Sequence, residues 1–154
     1  DALNDIIYAD VNLAVNLAAL AGTQEEYEYY YDLVFDRLDW LEERLSTRRY
    51  LMGDTITSPD IRLFVTLTRF DLVFYQKYFL NKKRLVDYPN LWNYAKDLFS
   101  NPAFGGNTDF NSMRLRFYYV DHTPFADMPR LMPKGPDDSR WLEPNDRAEK
   151  FSKK

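Results

Sequence analysis

The sequence predicts an all-α bundle of helices that ends in an irregular, proline-rich C-terminal extension. Three observations carry this. Apolar residues recur at three- and four-residue spacing through most of the first 120 positions, with no dependable alternation of period two. Side chains suited to capping stand at the starts of those runs. Five of the eight prolines then fall after Asp121, where neither helix nor sheet can continue regularly. The expected division is one helical domain over 1–120 and an extended strap over 121–154.

The first helix is expected over residues 3–21. Leu3, Ile7, Val11, Ala14 and Ala18 form one apolar face, and Leu13, Leu17 and Leu20 a second. A helix apolar on two sides lies between partners. Gly22 stands where a C-cap glycine would end it. Thr23, followed by Gln24, Glu25 and Glu26, reads as a capping box with acids at the positive end of the helix dipole. Tyr27, Tyr30, Tyr31, Val34, Leu38, Leu41 and Leu45 then make a single stripe, the mark of a long, amphipathic, half-exposed helix.

Residues 50–60, YLMGDTITSPD, start the next element. Gly53 and Asp54 mark a turn. Thr57 and Asp60 are spaced for a capping box, Pro59 sits in the first turn where its missing N–H costs nothing, and Ile56 and Ile61 are placed for a hydrophobic staple. The helix behind them, from Asp60 to about Leu80, is apolar on most sides and is expected to be central. Its free N–H groups need partners inside the protein, so loss of the cap is expected to cost about 1 kcal/mol or somewhat more.

Two further helices are expected. YPNLWNYAKDLFS carries Leu91, Tyr94, Ala95 and Leu98 at helical spacing with Pro89 at its start. TDFNSMRLRFYYV begins at Thr108 or Asp109. NPAFGGN between them has the residues of a turn. In the extension, Phe125, Met128, Leu131, Met132 and Trp141 read as isolated anchors of a strap laid over the surface, with a frayed end.

Composition removes several classes of function. The chain has 154 residues, enough for one domain with a real core. Aromatic residues reach 17%, so the core is bulky and some of the 12 tyrosine hydroxyls are expected at a cleft or interface. The net charge is −4 with no basic stripe, which argues against nucleic-acid binding. Arg48-Arg49 and Lys82-Lys83-Arg84 read as solvated helix ends. Without cysteine there is no disulfide, cysteine metal site or cysteine nucleophile in this chain. The single histidine, His122, speaks against a histidine-built metal site, and no nucleophile-elbow pattern makes a triad of it with Asp121. It reads as a surface or strap residue. No signal peptide opens the sequence, and Arg62, Arg69 and Asp71 interrupt the longest apolar run, so no membrane span is expected. The chain opens on Asp1 and is read as a fragment.

Charged residues in an apolar helix are costly unless paired. Arg69 and Asp71 therefore each need an internal ion pair or a place on a cleft, and both readings stand. Tyr118 and Tyr119 offer hydroxyls either to a ligand or to a single internal hydrogen bond.

Several of these blocks carry a resemblance. TSPDI at the start of a buried helix is similar to the capping signature of the glutathione transferase C-terminal domain. DIRLFVTLTRFDLVFYQKYFLN, DYPNLWNYAKDLF and PKGPDD, with NDIIYADVN and TQEEYE before them, resemble in order the glutathionyl-hydroquinone reductase branch. The resemblance covers nearly the whole chain. It implies a preceding thioredoxin-like domain that binds glutathione and carries the nucleophilic cysteine, a helical domain that walls the electrophile pocket, a homodimer and a cytoplasmic protein. The reaction it implies is thiol exchange. The cysteine attacks the sulfur of a glutathionyl-hydroquinone, hydroquinone leaves with a proton on its ring carbon, and a second glutathione resolves the mixed disulfide.

The substrate-binding positions implied here are Asn16, Arg69, Phe74, Tyr75, Tyr118 and Tyr119. Asn16, in LAVNLA, stands where the branch has a G-V-Y tyrosine. Phe74 stands at the tyrosine of R-F-D-x-V-Y, with Tyr75 adjacent. The branch's tyrosine pair aligns with Phe117-Tyr118, or with Tyr118-Tyr119 after one inserted residue. Asparagine cannot donate a proton as a phenol does, and phenylalanine has no hydroxyl to stabilise a thiolate. The expected function is the electrophile-binding and dimerisation domain of a glutathione-dependent transferase or reductase, inactive by itself and acting on a small aromatic electrophile. The alternative is a non-catalytic interaction module on the same fold.

Overall fold

The computed structural model describes residues 1–119 and 131–152. The all-α expectation holds: among the described residues there is no strand, only an isolated antiparallel bridge between Tyr50 and Gly53. Helix α1 runs without a break through Ala2–Ile7, a π-helical stretch Tyr8–Leu13, and Ala14–Ala19. Helix α2 is Gln24–Leu45. Helix α3 comprises Ser58–Arg69, a π-helical stretch Phe70–Phe74, and a last turn Tyr75–Lys77. A 3-10 turn, Leu85–Asp87, leads to α4, Pro89–Phe99. Short α5, Pro102–Gly105, precedes α6, which is Phe110–Arg114 continued as π-helix over Leu115–Tyr119. The C-terminal segment holds a 3-10 turn, Asp138–Leu142, and a one-turn helix α7, Arg147–Lys150.

Helix α1 packs against α2 and α3, and α4 closes the group by touching both α2 and α3. The core lies between them, with Ile7, Val11, Phe35, Leu38, Leu41, Leu63, Leu67, Leu91 and Leu98 all essentially inaccessible. Each such side chain contributes about 1.5–3 kcal/mol on burial. Phe35 of α2 meets Phe70 of α3 edge-on, with centroids 6.0 Å apart.

Helix starts follow local chemistry. The Thr23 hydroxyl accepts from Glu26 N–H (3.1 Å), while Glu26 reaches back to Gly22 N–H (3.1 Å), one residue earlier than a standard box. Gly22 is not in the left-handed region; α1 stops at Leu20, whose N–H bonds Asn16 O at 3.0 Å. The left-handed glycine is Gly53 (φ 132°), in the Tyr50–Gly53 turn. Helix α4 has no cap of its own. The Glu42 carboxylate of α2 accepts from Asn90 N–H (2.8 Å) and Leu91 N–H (2.8 Å), placing negative charge on that N-terminus from across the bundle.

The α3 start does more than the sequence reading expects. Asp60, fully buried, accepts from Thr57 N–H through Oδ2 (2.9 Å). Through Oδ1 it accepts from Leu51 N–H (3.0 Å) and the Tyr94 hydroxyl (2.7 Å). The cap therefore also ties the preceding loop and α4 to α3. Ile61 is not covered by a staple; it is 54% exposed.

The C-terminal segment packs on this same domain. Arg114 and Asp138 pair (2.7 Å), Arg140 pairs with Asp71 (3.0 Å), and Trp141 is buried against Trp92 (4.9 Å between centroids), Phe99 and Phe110. Leu131, read as an anchor, is exposed. Phe125 and Met128, read as anchors too, and His122 lie outside the described residues.

Buried tyrosines set the alkaline limit. Burial, and then the Asp60 charge, push the Tyr94 hydroxyl well above its ordinary value, and burial pushes Tyr118 up to about 12. Above about pH 10 the unfolded chain loses these protons while the folded chain keeps them, so stability falls as pH rises. Urea midpoints from about pH 8 to about pH 11 are expected to decline, and Tyr94→Phe to flatten part of the slope. A slope unchanged by that substitution would remove Tyr94 from this account.

Candidate functional site

Helix α3 is not enclosed on all sides as its composition suggests. Ile61 and Val65, one turn apart, are 54% and 47% exposed. They edge a cleft of about 330 Å³ between α3, α5 and the start of α6. Phe64, Phe104 and Met113 complete its apolar lining, and Thr68, Arg69, Asn107 and Thr108 are its principal polar residues.

Local structure places each part. Asn101 caps α5 by accepting from Ala103 N–H (3.0 Å), and Gly105 lies so close to the Phe99 carbonyl that a Cβ would not fit. This tight turn presents Phe104 edge-on to Phe64, centroids 5.1 Å apart. Asp109 caps α6 (Ser112 N–H to Oδ1, 3.0 Å), the helix that carries Met113. Trp141 of the C-terminal segment also meets Phe64, at 6.4 Å.

The two charges of α3 part company. Asp71 is the structural one: it accepts from Leu85 N–H (2.5 Å) and pairs with Arg140. Arg69 goes to the cleft. Its Nη1 donates to Val65 O (2.8 Å) and Thr68 Oγ1 (3.3 Å), and burial, then the nearby Arg116 charge, lower its pKa.

The other sequence-derived positions do not line this cleft. Asn16 is exposed and donates to Asn12 O of its own helix (3.1 Å). Phe74 is buried among Phe70, Tyr78 and Phe117. Tyr75 is half-buried against the core. The Tyr118 hydroxyl donates to Leu72 O (2.5 Å), and Lys77 lies over its ring (5.4 Å). Tyr119 borders solvent at the end of the π-helical stretch. Phe74, Phe117 and Tyr118 thus form a group with the last turns of α3, apart from the cleft. The sequence reading missed Phe64, Phe104 and Met113 as lining. The available signal was the outward Ile61/Val65 pair, visible only once the buried side of α3 is known.

Chemically the lining could bind and orient a ligand. No carboxylate or imidazole lines it among the described residues. Both threonine hydroxyls are engaged with carbonyls, Thr68 with Val65 O (2.9 Å) and Thr108 with Phe104 O (2.8 Å). Neither has the adjacent base that makes a hydroxyl a nucleophile.

The described residues thus form an all-α bundle with one open, apolar helix face and a cleft that holds no nucleophile among them. Residues 24–97 match the family model for the glutathione S-transferase C-terminal domain. Glutathionyl-hydroquinone reductase PcpF of Sphingobium chlorophenolicum is 38% identical over 136 residues, covering 88% of this chain and 43% of that protein. A glutathione transferase structure from Gordonia bronchialis superposes with a TM-score of 0.89 at 44% identity, covering 97% of this chain and 46% of the other. The glutathione-bound structure of YqjG, a glutathione transferase homolog from Escherichia coli K-12, gives 0.88 at 33% identity, covering 98% and 48%. The chain belongs to the glutathione S-transferase C-terminal domain family, and the resemblance to the glutathionyl-hydroquinone reductases is borne out. It spans less than half the length of these relatives. No helix among the described residues is long and apolar enough to cross a membrane.

Proposed function

We propose that this chain is the helical electrophile-binding and dimerisation domain of a cytoplasmic, glutathione-dependent transferase or reductase. The observation that carries this reading is the cleft on the open face of α3, which can hold a small aromatic molecule but contains nothing able to attack it. Thiol chemistry then belongs to a thioredoxin-like domain that binds glutathione, docked on the exposed Ile61 and Val65 side of α3. In the exchange, a thiolate of that domain attacks the glutathionyl sulfur, the carbon–sulfur bond breaks, and the aryl carbon takes a proton. A second glutathione then releases the enzyme thiolate and leaves as the disulfide.

This chain's part is to position the ring and exclude water. Asn16, Arg69, Phe74, Tyr75, Tyr118 and Tyr119 remain the proposed substrate-binding positions. Tyr118 is a poor proton donor while its hydroxyl is committed to Leu72 O and its pKa is raised to about 12. That commitment, together with Asn16, favours the second reading, a non-catalytic interaction module. The intact protein should be supplied with a glutathionyl-hydroquinone and glutathione, and hydroquinone release followed. Turnover is expected. Glutathione binding without turnover would indicate a transferase of other specificity, and neither would favour the module.

A further inference from the structure

Arg69 is a charge in an unusual position. It stands on the helix that forms the core, yet among the described residues its guanidinium meets neutral acceptors only, Val65 O and Thr68 Oγ1, both on Nη1. No carboxylate among the described residues pairs with it, whereas its neighbour Asp71 holds Arg140. Among the described residues its Nε–Nη2 edge, the one that receives a carboxylate in a two-pronged pair, makes no hydrogen bond. Burial disfavours the charge, and Arg116, the second positive group, disfavours it further. A positive side chain lining an apolar cleft, with the Arg116 charge near enough to oppose it, is a local arrangement that an anion would relieve. Phe64, Phe104 and Met113 supply the apolar surface for a ring, and about 330 Å³ suits a one-ring ligand.

We propose that the cleft selects aromatic ligands bearing a carboxylate, with Arg69 holding the anion and Arg116 reinforcing the field. This names the electrophile class for the site proposed above and rests on that reading for its place in a reaction. Calorimetric titration of the intact protein with gentisate, a carboxylated hydroquinone, and with hydroquinone itself tests it. Gentisate is expected to bind about 10-fold more tightly at low salt. Added salt should erode the preference. Arg69→Gln should bring the ratio to about one, and exposed Arg116→Gln should reduce it about two- to three-fold.

Should Arg69→Gln not fold, the salt dependence and Arg116→Gln decide. Equal affinities in the wild type, a ratio indifferent to both substitutions, or a cleft that takes neither ligand because another part of the protein fills it would each overturn the proposal. The titration needs no thiol and no turnover. Selective gentisate binding with no hydroquinone release would therefore sink the thiol-exchange reading alone.

Discussion

Arg147→Met is expected to destabilise the protein by about 3 kcal/mol, because it strips donors from buried carbonyls while keeping most of the side-chain volume. Arg147 is 1% exposed. Its Nη2 donates to Leu45 O (3.1 Å), Arg48 O (2.6 Å) and Arg49 O (2.8 Å), the carbonyls where α2 ends and the following loop begins. Those groups have no helical partner, and the negative end of the α2 dipole adds to the attraction. The guanidinium also lies over Phe151 (4.9 Å) and Tyr94 (5.9 Å). One side chain thus fastens the C-terminal segment to a site about a hundred positions earlier in the chain. Thermal unfolding should show a midpoint lower by about 6–12 °C. A shift under about 1 °C would mean that water or a relaxed backbone satisfies these carbonyls without Arg147.

Asp60→Ala is expected to cost about 3–4 kcal/mol, well above the usual worth of a helix cap, because three donors lose their acceptor together. They are the N–H groups of Leu51 and Thr57 and the hydroxyl of Tyr94. Thr57→Ala provides the contrast. The Thr57 hydroxyl stands 3.4 Å from Asp60 Oδ2, and Asp60 N–H already bonds Thr57 O at 3.0 Å, so this change should cost about 1 kcal/mol or less. Urea unfolding of the two variants separates the accounts. Equal losses would reduce Asp60 to an ordinary cap, whereas a loss three times larger for Asp60→Ala supports its role as a tie between α3, α4 and the loop before α3.

These two residues also mark how far local reading reaches. The helices, the turn at Gly53 and the capping residues Thr23, Thr57 and Asp60 were legible because periodicity and caps depend on positions three or four apart. The family was legible for a related reason: long blocks of side chains retain their order. The other bonds of Asp60 and the whole role of Arg147 were not legible, since their partners are distant in sequence and meet only on folding. The interruptions of α1, α3 and α6 by π-helical stretches were equally hidden, because one inserted residue per turn leaves the apolar pattern almost unchanged.

The candidate site divides in the same way. Arg69 and Asp71 stood out because charge within an apolar run is expensive wherever the helix sits. Their assignments needed distant elements: the C-terminal segment comes back across α3 to pair Arg140 with Asp71, and α5 and α6 make the cleft beside Arg69. Phe64 and Met113 belong equally to core and cleft by composition, and only the placement of α5 and α6 decides which surface they serve. Short-range order in this chain is written into neighbouring residues. The site is made by side chains from two separate stretches, residues 61–69 and 103–113, and the energy that selects it comes from burial shared between elements rather than from any one of them.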